Sequence, residues 1–327
     1  MTPLRDAIAK NSFAVFGRAG MDLFPDPPGT RTREAAQMSC DLGGSSANIA
    51  AGLCKFGARA ALITSVSDDA VGWFCLTRLH HYGVETTYVR RISGEYRTSL
   101  AVYESRVEDH QSVIYRNGAA DFQVTREDVD AVPLADFGAF ITAGTVFAAD
   151  PSRDAAFHAF DKAHAAGLPV LFDIDYRPYS WPSAEVAADV LSRAGDASDM
   201  IVGNDEEFGF MAGDMAKGLQ KAQDLASEAD RLIVYKMGEK GAITFYRGQE
   251  IKTGIYEVTA LKPTGAGDSF MAGLLSGLAS GLDLRDAVLR GSACAAIVVA
   301  RPGCAPAMPT EDQLKAFLSD HPGPSAA

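Results

Sequence analysis

Short runs of β-favouring residues alternate along this chain with longer stretches whose apolar positions recur at helical spacing. Residues 13–17, 60–66, 139–143, 169–173, 200–203 and 232–236 read as strands. Residues 46–56, 70–81, 151–166, 185–194, 215–228, 268–280 and 284–300 read as helices. This βαβ order predicts an α/β fold with a mainly parallel central sheet, helices on both faces and ligands at the carboxyl ends of the strands. Two stretches break the alternation. Around 18–42 and 97–117 the chain is polar, carries alternating segments such as Ser99-Leu100-Ala101-Val102-Tyr103, and predicts β structure outside the main sheet.

Several predicted strands end directly in polar residues. Leu171-Phe172 runs into Asp173-Ile174-Asp175-Tyr176-Arg177, and Ile201-Val202-Gly203 into Asn204-Asp205-Glu206-Glu207. Ile233-Val234-Tyr235 leads to Lys236-Met237-Gly238-Glu239-Lys240-Gly241, and the first strand to Arg18 and then Asp22. Any one cluster reads equally well as a solvated loop or a cap; their shared position at strand ends favours a common site.

The run Pro263-Thr264-Gly265-Ala266-Gly267-Asp268-Ser269-Phe270 joins a glycine loop, a carboxylate and a helix start. Its glycines let the backbone turn tightly, and the helix start adds unsatisfied N–H donors and the positive end of a dipole, a combination that suits an anion. Phosphoryl transfer fits the pattern. Asp268 would accept a proton from an attacking hydroxyl while Gly265, Ala266 and Gly267 donate backbone N–H bonds to phosphate. The alternative is an ordinary loop ending in an N-cap Asp. Gly273, Gly277 and Gly281, four apart on the predicted helix, mark a face packed close to a neighbour.

Composition narrows the class. A chain of 327 residues, 47% hydrophobic, can bury a large core, and a net charge of -12 argues against nucleic acid or an anionic membrane surface as the partner. Cys40, Cys54, Cys75, Cys294 and Cys304 lack a C-x-x-C pair and read as reduced thiols rather than a disulfide framework or zinc site. Without an apolar run of membrane-spanning length or a signal-peptide pattern, the protein is expected to be cytoplasmic. No G-x-G-x-x-G opens the first helix and no G-x-x-x-x-G-K-[ST] is present, against a dehydrogenase or a P-loop enzyme.

The glycine run resembles the second signature of the PfkB (ribokinase-like) family of carbohydrate kinases. Gly43-Gly44-Ser45-Ser46-Ala47-Asn48-Ile49-Ala50 resembles the family's N-terminal Gly-Gly-x-x-x-Asn segment. The similarity runs from about Phe13 to Thr310. It implies a ribokinase-like fold over 1–321, with a small β lid from about 18–42 and 97–117 covering the sugar site, and a disordered tail at 322–327. It also implies ATP and Mg²⁺ as cofactors, Asp268 as catalytic base, and a possible homodimer.

The same resemblance assigns further residues. Asp22, Gly44 and Asn48 match positions that hold sugar hydroxyls, and Arg116 and Arg177 resemble arginines that meet a substrate carboxylate, which a planar guanidinium can bind bidentately. Asn204 and Glu207 look like the family's Asn-x-x-Glu motif, with Glu207 reaching the metal through water; equally, they form a helix capping box. Gly238 and Gly241 resemble the nucleotide-side glycine loop, with Lys236 where a small hydroxyl residue is usual. Ala295, Ala296 and Gly303 fall where the family builds its adenine pocket. Lys262-Pro263 replaces the Asp-Thr usual in ribokinases, which counts against a ribokinase-type monovalent-cation site. Together with Asp173-Ile174-Asp175-Tyr176-Arg177-Pro178 and the late Cys304-Ala305-Pro306-Ala307-Met308-Pro309-Thr310, that pair is similar to the branch that phosphorylates the primary hydroxyl of a six-carbon keto-deoxy sugar acid in inositol catabolism. Other acceptors of the family, 2-keto-3-deoxygluconate, fructose or ribose, and a non-catalytic sugar sensor on the same fold, stand as alternatives.

Overall fold

The computed structural model describes residues 3–228, 230–321 and 323–324. The chain opens with α1 (Pro3–Ile8), β1 (Ser12–Phe16), β2 (Gly20–Asp26), β3 (Gln37–Gly43), α2 (Ser45–Lys55), β4 (Arg59–Ser67), α3 (Ala70–His81) and β5 (Val89–Ile92). β6 (Leu100–Tyr103) and β7 (Ser112–Tyr115) precede α4 (Arg126–Asp130), β8 (Ala139–Ala143), α5 (Ser152–Ala165), β9 (Val170–Asp173), α6 (Ala184–Asp196) and β10 (Met200–Asn204). After α7 (Asp205–Met211), α8 (Gly218–Ser227) and β11 (Leu232–Lys236) come β12 (Ala242–Tyr246), β13 (Gln249–Thr253), α9 (Ala266–Ala279), α10 (Leu284–Val299) and α11 (Glu311–Asp320).

Among the described residues the main sheet has the order β13-β12-β11-β10-β9-β8-β1-β4-β5. From β11 to β5 every pairing is parallel. Period-two alternation divides the strands between two cores. Ala14, Phe16, Phe140, Phe172, Ile201 and Ile233 face one, with α5 and α6 above them. Phe13, Val15, Ile141, Leu171, Val202 and Val234 face the other, against α2 and α9. Strand order reverses between β8 and β1, so the crevice beyond their carboxyl ends is the expected ligand position.

The segments that broke the alternation form a second sheet, β3-β2-β6-β7. It leaves Met38, Val113 and Tyr115 exposed and connects directly to the end of β1 and the start of α2.

Three details differ from the sequence expectations. β12 and β13 add an antiparallel hairpin to the parallel sheet. The stretch 215–228 is a 3-10 turn, Met215–Lys217, followed by α8, with the break at Gly218. Gly218 lies close to Gly209 and the Asp205 carbonyl, so α7 and α8 meet backbone to backbone there. Gly273 and Gly277 do face α10 closely, where added Cβ atoms would come within 3.0 Å of the Gly291 Cα and 3.1 Å of the Ala287 Cα. Gly281 lies beyond the end of α9 with φ +86° and space around it, so it turns the chain rather than packing a face. The tail from Pro322 falls outside the described residues except for Gly323 and Pro324.

Candidate active site

Helix α9 begins without a side-chain cap. Gly265 occupies the N-cap with φ +84°, a left-handed conformation, and Asp268 sits in the first turn without capping its own helix. Opening N–H groups of α9 are therefore available to an anion, that of Ala266 making only a long 3.5 Å bond to the Pro263 carbonyl. The Asp268 carboxylate instead accepts at Oδ2 from Asn48 Nδ2 of α2, at 2.8 Å.

This meeting has a packing cause one helical turn away. A Cβ on Gly52 would stand 2.7 Å from the Ala272 Cβ and 2.8 Å from the Met308 sulfur, so only a glycine lets α2 and α9 approach this closely. Asn48 precedes Gly52 by four residues, and Asp268 precedes Ala272 by four, which sets both side chains on the contact line. Gly52→Val is expected to spread the helices and lower turnover on the order of 10-fold, short of the ~10²-fold that a full 1 Å misplacement can cost. Steady-state kinetics on a variant with a wild-type circular dichroism spectrum checks this, and unchanged kcat would show that the close approach does not set the catalytic distance.

Burial, and after it the nearby charge of Asp175, push the Asp268 carboxyl up to about 7, against the Asn48 hydrogen bond and Arg177. Asp22 is buried in β2 and raised to about 6, first by burial and opposed by Arg18, whose Nη2 lies 3.8 Å from its Oδ1. Two buried acceptor atoms here, Asp22 Oδ1 and Asn48 Oδ1, have no hydrogen-bond partner among the described residues. Gly44, with φ +99°, turns β3 into α2 directly against the Arg18 carbonyl.

Around these residues arginines alternate with aspartates. Arg18 follows the end of β1, is 5% exposed and donates from Nη1 to Ser99 Oγ at 2.8 Å. Its guanidinium lies in the fields of Asp22, Asp121 and Asp175. Arg116 is buried, with its Nε and Nη2 on Asp121 Oδ2 and its Nη1 on the Thr145 carbonyl, stacked 4.0 Å from the Phe122 ring centre. Half-exposed Arg177 pairs with Asp175 at 2.8 Å. Asp175 itself has φ +34° and accepts from Ser45 Oγ at 2.5 Å. Burial alone would raise its pKa, but Arg177, the Ser45 hydroxyl, Arg18 and Arg116 together hold it low.

Beyond Asp268, the ends of β9, β10 and β11 converge. Asn204 Oδ1 accepts from the Glu207 N–H at 2.8 Å and Glu207 Oε2 from the Asn204 N–H at 2.7 Å, a complete capping box that starts α7. Glu207 keeps its second carboxylate oxygen outside that box. Burial raises its pKa against the pull of Lys236, and burial raises Asp173 well above the carboxylate range. Lys236 reaches the start of α9: its Nζ lies 3.6 Å from where a Gly267 Cβ would stand. Gly238 and Gly241 bracket a 3-10 turn between β11 and β12, both at positive φ. Gly303 packs against Asp41 of the small sheet and Pro306, while Ala296 belongs to a separate apolar cluster with Tyr256 and Leu314.

Several buried groups at this centre, Asp173 and Asp175 among them, were not sequence-assigned site residues, and two are basic. Arg18 was visible only as a strand-end residue. Lys262 was read only as part of the pair that replaces the Asp-Thr usual in ribokinases, and nothing local marked it as 1% exposed.

Comparison with known proteins assigns the class. Residues 10–311 match the pfkB family carbohydrate kinases, and the chain belongs to that family. Its curated relatives include proteins named 5-dehydro-2-deoxygluconokinase. The one from Photobacterium profundum is 35% identical over 93% of each chain, and that from Geobacillus kaustophilus 33% identical over 96% of each. Among solved structures, fructokinase from Vibrio cholerae with fructose, ADP and calcium ion bound superposes with a TM-score of 0.83 at 25% identity, covering 95% of this chain and 99% of that one. The chain is thus a carbohydrate kinase of ribokinase-like fold. Among the described residues no helix is long and apolar enough to cross a membrane.

Proposed function

We propose that this kinase transfers the γ-phosphoryl group of ATP to the primary hydroxyl of 5-dehydro-2-deoxygluconate, the acceptor in the name of its relatives. The observation that carries the reading is the pair of buried oxygens, Asp22 Oδ1 and Asn48 Oδ1, that accept no hydrogen bond among the described residues, beside a carboxylate at an uncapped helix start. Buried acceptors without donors call for a ligand bearing hydroxyls. In this reading Asp22, Asn48 and the backbone at Gly44 hold the sugar, and Asp268 removes the proton of the attacking hydroxyl. The N–H groups of Gly265, Ala266 and Gly267, with Lys236, meet the charge that develops on phosphate. Gly238, Gly241 and Gly303 are assigned to the nucleotide side.

Mg²⁺ fits the donor set. Glu207 and Asp173 are hard oxygen ligands whose charge burial disfavours, so a divalent cation arriving with the nucleotide offsets that cost, largely through retained waters. When bound, Mg²⁺ neutralises phosphate charge. The small sheet built from 18–42 and 97–117 acts as a lid over the sugar, excluding water as a competing acceptor.

The arginines favour an acidic acceptor. Arg18, which among the described residues donates one side-chain hydrogen bond, to Ser99, and pairs at 3.8 Å with Asp22, has donors to spare for a carboxylate; the Nε and Nη2 of Arg116 are already held by Asp121. Arg18→Ala is expected to raise KM for the sugar acid about 10- to 100-fold, the worth of a charged hydrogen bond, with KM for ATP nearly unchanged. Arg177→Ala is expected to act in the same direction. ADP release is the readout, compared across 5-dehydro-2-deoxygluconate, 2-keto-3-deoxygluconate, fructose and ribose, with Asp268→Asn as the blank. Preference for a neutral sugar, or an equal loss by Arg18→Ala on acid and neutral acceptors, would overturn the sugar-acid reading. Binding of sugar and ATP without any ADP would overturn the enzyme reading.

A further inference from the structure

The Lys262 side chain is buried to 1% exposure, and among the described residues no carboxylate forms an ion pair with it. Its ammonium donates to the Thr264 carbonyl at 2.6 Å and the Val298 carbonyl at 3.3 Å. A buried ammonium satisfied mainly by neutral carbonyls is costly, so its position calls for a reason. Both carbonyls have one. Thr264 immediately precedes the left-handed Gly265 that opens α9, and Val298 lies in the last turn of α10, where its carbonyl, which also accepts from the Arg301 N–H at 3.2 Å, carries the negative end of the dipole. The Lys262 N–H and the Leu261 N–H both bond the Val299 carbonyl, so the backbone is fastened at the same place. Asp22, Asp41 and Asp268 all lie within its electrostatic reach, together with the buried Cys304 thiol.

We propose that Lys262 is a tethered monovalent cation. Its ammonium gathers the carbonyl dipoles of Thr264 and Val298 as a potassium or ammonium ion would gather carbonyl oxygens, and so holds the Gly265–Gly267 backbone with its N–H groups toward phosphate. Because the charge is covalently supplied, the enzyme has no need of potassium. Lys262 is a positioning residue: it acts on phosphate through the loop and touches neither substrate. The inference rests on the reading of that loop as the phosphate site.

The test compares wild type, Lys262→Ala and Lys262→Met in choline, lithium, potassium and ammonium chlorides at equal ionic strength. Three readouts are taken: ADP release, ATP affinity by calorimetry, and melting temperature. Wild type is expected to vary less than about twofold across the salts, since its carbonyls are already occupied. Lys262→Ala opens a carbonyl-lined space; it is expected to lose about 10-fold or more in ATP affinity in choline and to regain most of it, with a higher melting temperature, in potassium or ammonium but not lithium. Lys262→Met fills the space without charge and should stay weak in every salt. Wild type that gains 10-fold or more from potassium would overturn the proposal even if neither variant folds. So would a Lys262→Ala protein that matches wild type in choline, or one that no cation improves. ATP affinity and melting temperature decide the matter whichever sugar proves to be the acceptor, so a wrong acceptor and a wrong role for Lys262 give different results.

Discussion

Asp268→Asn is expected to lower kcat about 10²- to 10⁴-fold while ATP still binds, the span by which positioned general bases accelerate proton transfer. The substitution keeps the shape of the side chain and an oxygen for Asn48 to donate to, and removes only the capacity to take a proton. The pH behaviour makes the assignment specific. With the carboxyl raised to about 7, the base is lost as pH falls, so wild-type kcat/KM should decline below roughly that value, and the residual rate of the variant should lack this limb. Stability gives a second sign. Between its unfolded value of 3.8 and about 7 the folded protein keeps a proton that the unfolded chain releases, so this group makes the fold less stable as pH rises through that window. The variant carries no charge to bury. It should melt a few degrees above wild type at pH 8, with the difference gone near pH 4. A variant that turns over at near wild-type rate would remove Asp268 from the chemistry; one that melts far below wild type at pH 8 would mean that the carboxylate is structural.

The sequence made the scaffold and much of the site legible because both depend on short-range signals. The six core strands were found within a residue or two, since each is a compact apolar run ending in polar residues, and the glycine loop announced a helix start by its own chemistry. The edge hairpin was missed. In β13, Gln249-Glu250-Ile251-Lys252-Thr253 carries too few apolar residues to stand out, and pairing with β12 rather than local preference makes it a strand. The site residues noticed without a role share a different cause. Arg18 and Lys262 are charged side chains whose significance lies in burial, and burial is set by what the fold brings from far along the chain: Ser99 to Arg18, the end of α10 to Lys262. A motif names what can bind phosphate. It does not reveal which cation has been enclosed beneath it.

The Asn48–Asp268 contact shows the same division at higher resolution. The two residues were assigned to separate tasks, hydroxyl binding and proton removal, yet they are hydrogen-bonded to each other across 220 positions of sequence. In the proposed reading, a hydroxyl held by the Asn48 amide oxygen would therefore be held next to the carboxylate assigned to deprotonate it.

Gly44→Ala should be a damaging single methyl in the molecule's acceptor half, and Gly57→Ala shows why. Both glycines have positive φ, +99° and +81°, so either alanine carries backbone strain of about 1–3 kcal/mol. They differ in surroundings. Nothing lies within 4 Å of a Cβ on Gly57, whereas a Cβ on Gly44 would stand 2.2 Å from the Arg18 carbonyl oxygen and 3.2 Å from the Ala19 Cα. That carbonyl cannot withdraw cheaply, because it accepts from the Ala47 N–H in the first turn of α2. Relief must come from moving α2 away from the end of β1, which separates Asn48 from Arg18 and Asp22 together. Overpacking of this kind adds about 1–3 kcal/mol to the strain, for a total of roughly 3 kcal/mol or more and a melting temperature on the order of 5–10 °C below wild type. Gly57→Ala should fall by only a few degrees and keep its kinetics. Where Gly44→Ala remains folded at low temperature, KM for the sugar acid should rise beyond KM for ATP, since Asn48 stands on α2 itself, while the groups assigned to the nucleotide stand on β10, β11 and the start of α9, which α2 meets only across its packing contact with that helix. Equal loss of stability in the two alanine variants would show that the Arg18 carbonyl yields easily, and a matched rise in both KM values would show that α2 does not divide the acceptor from the nucleotide.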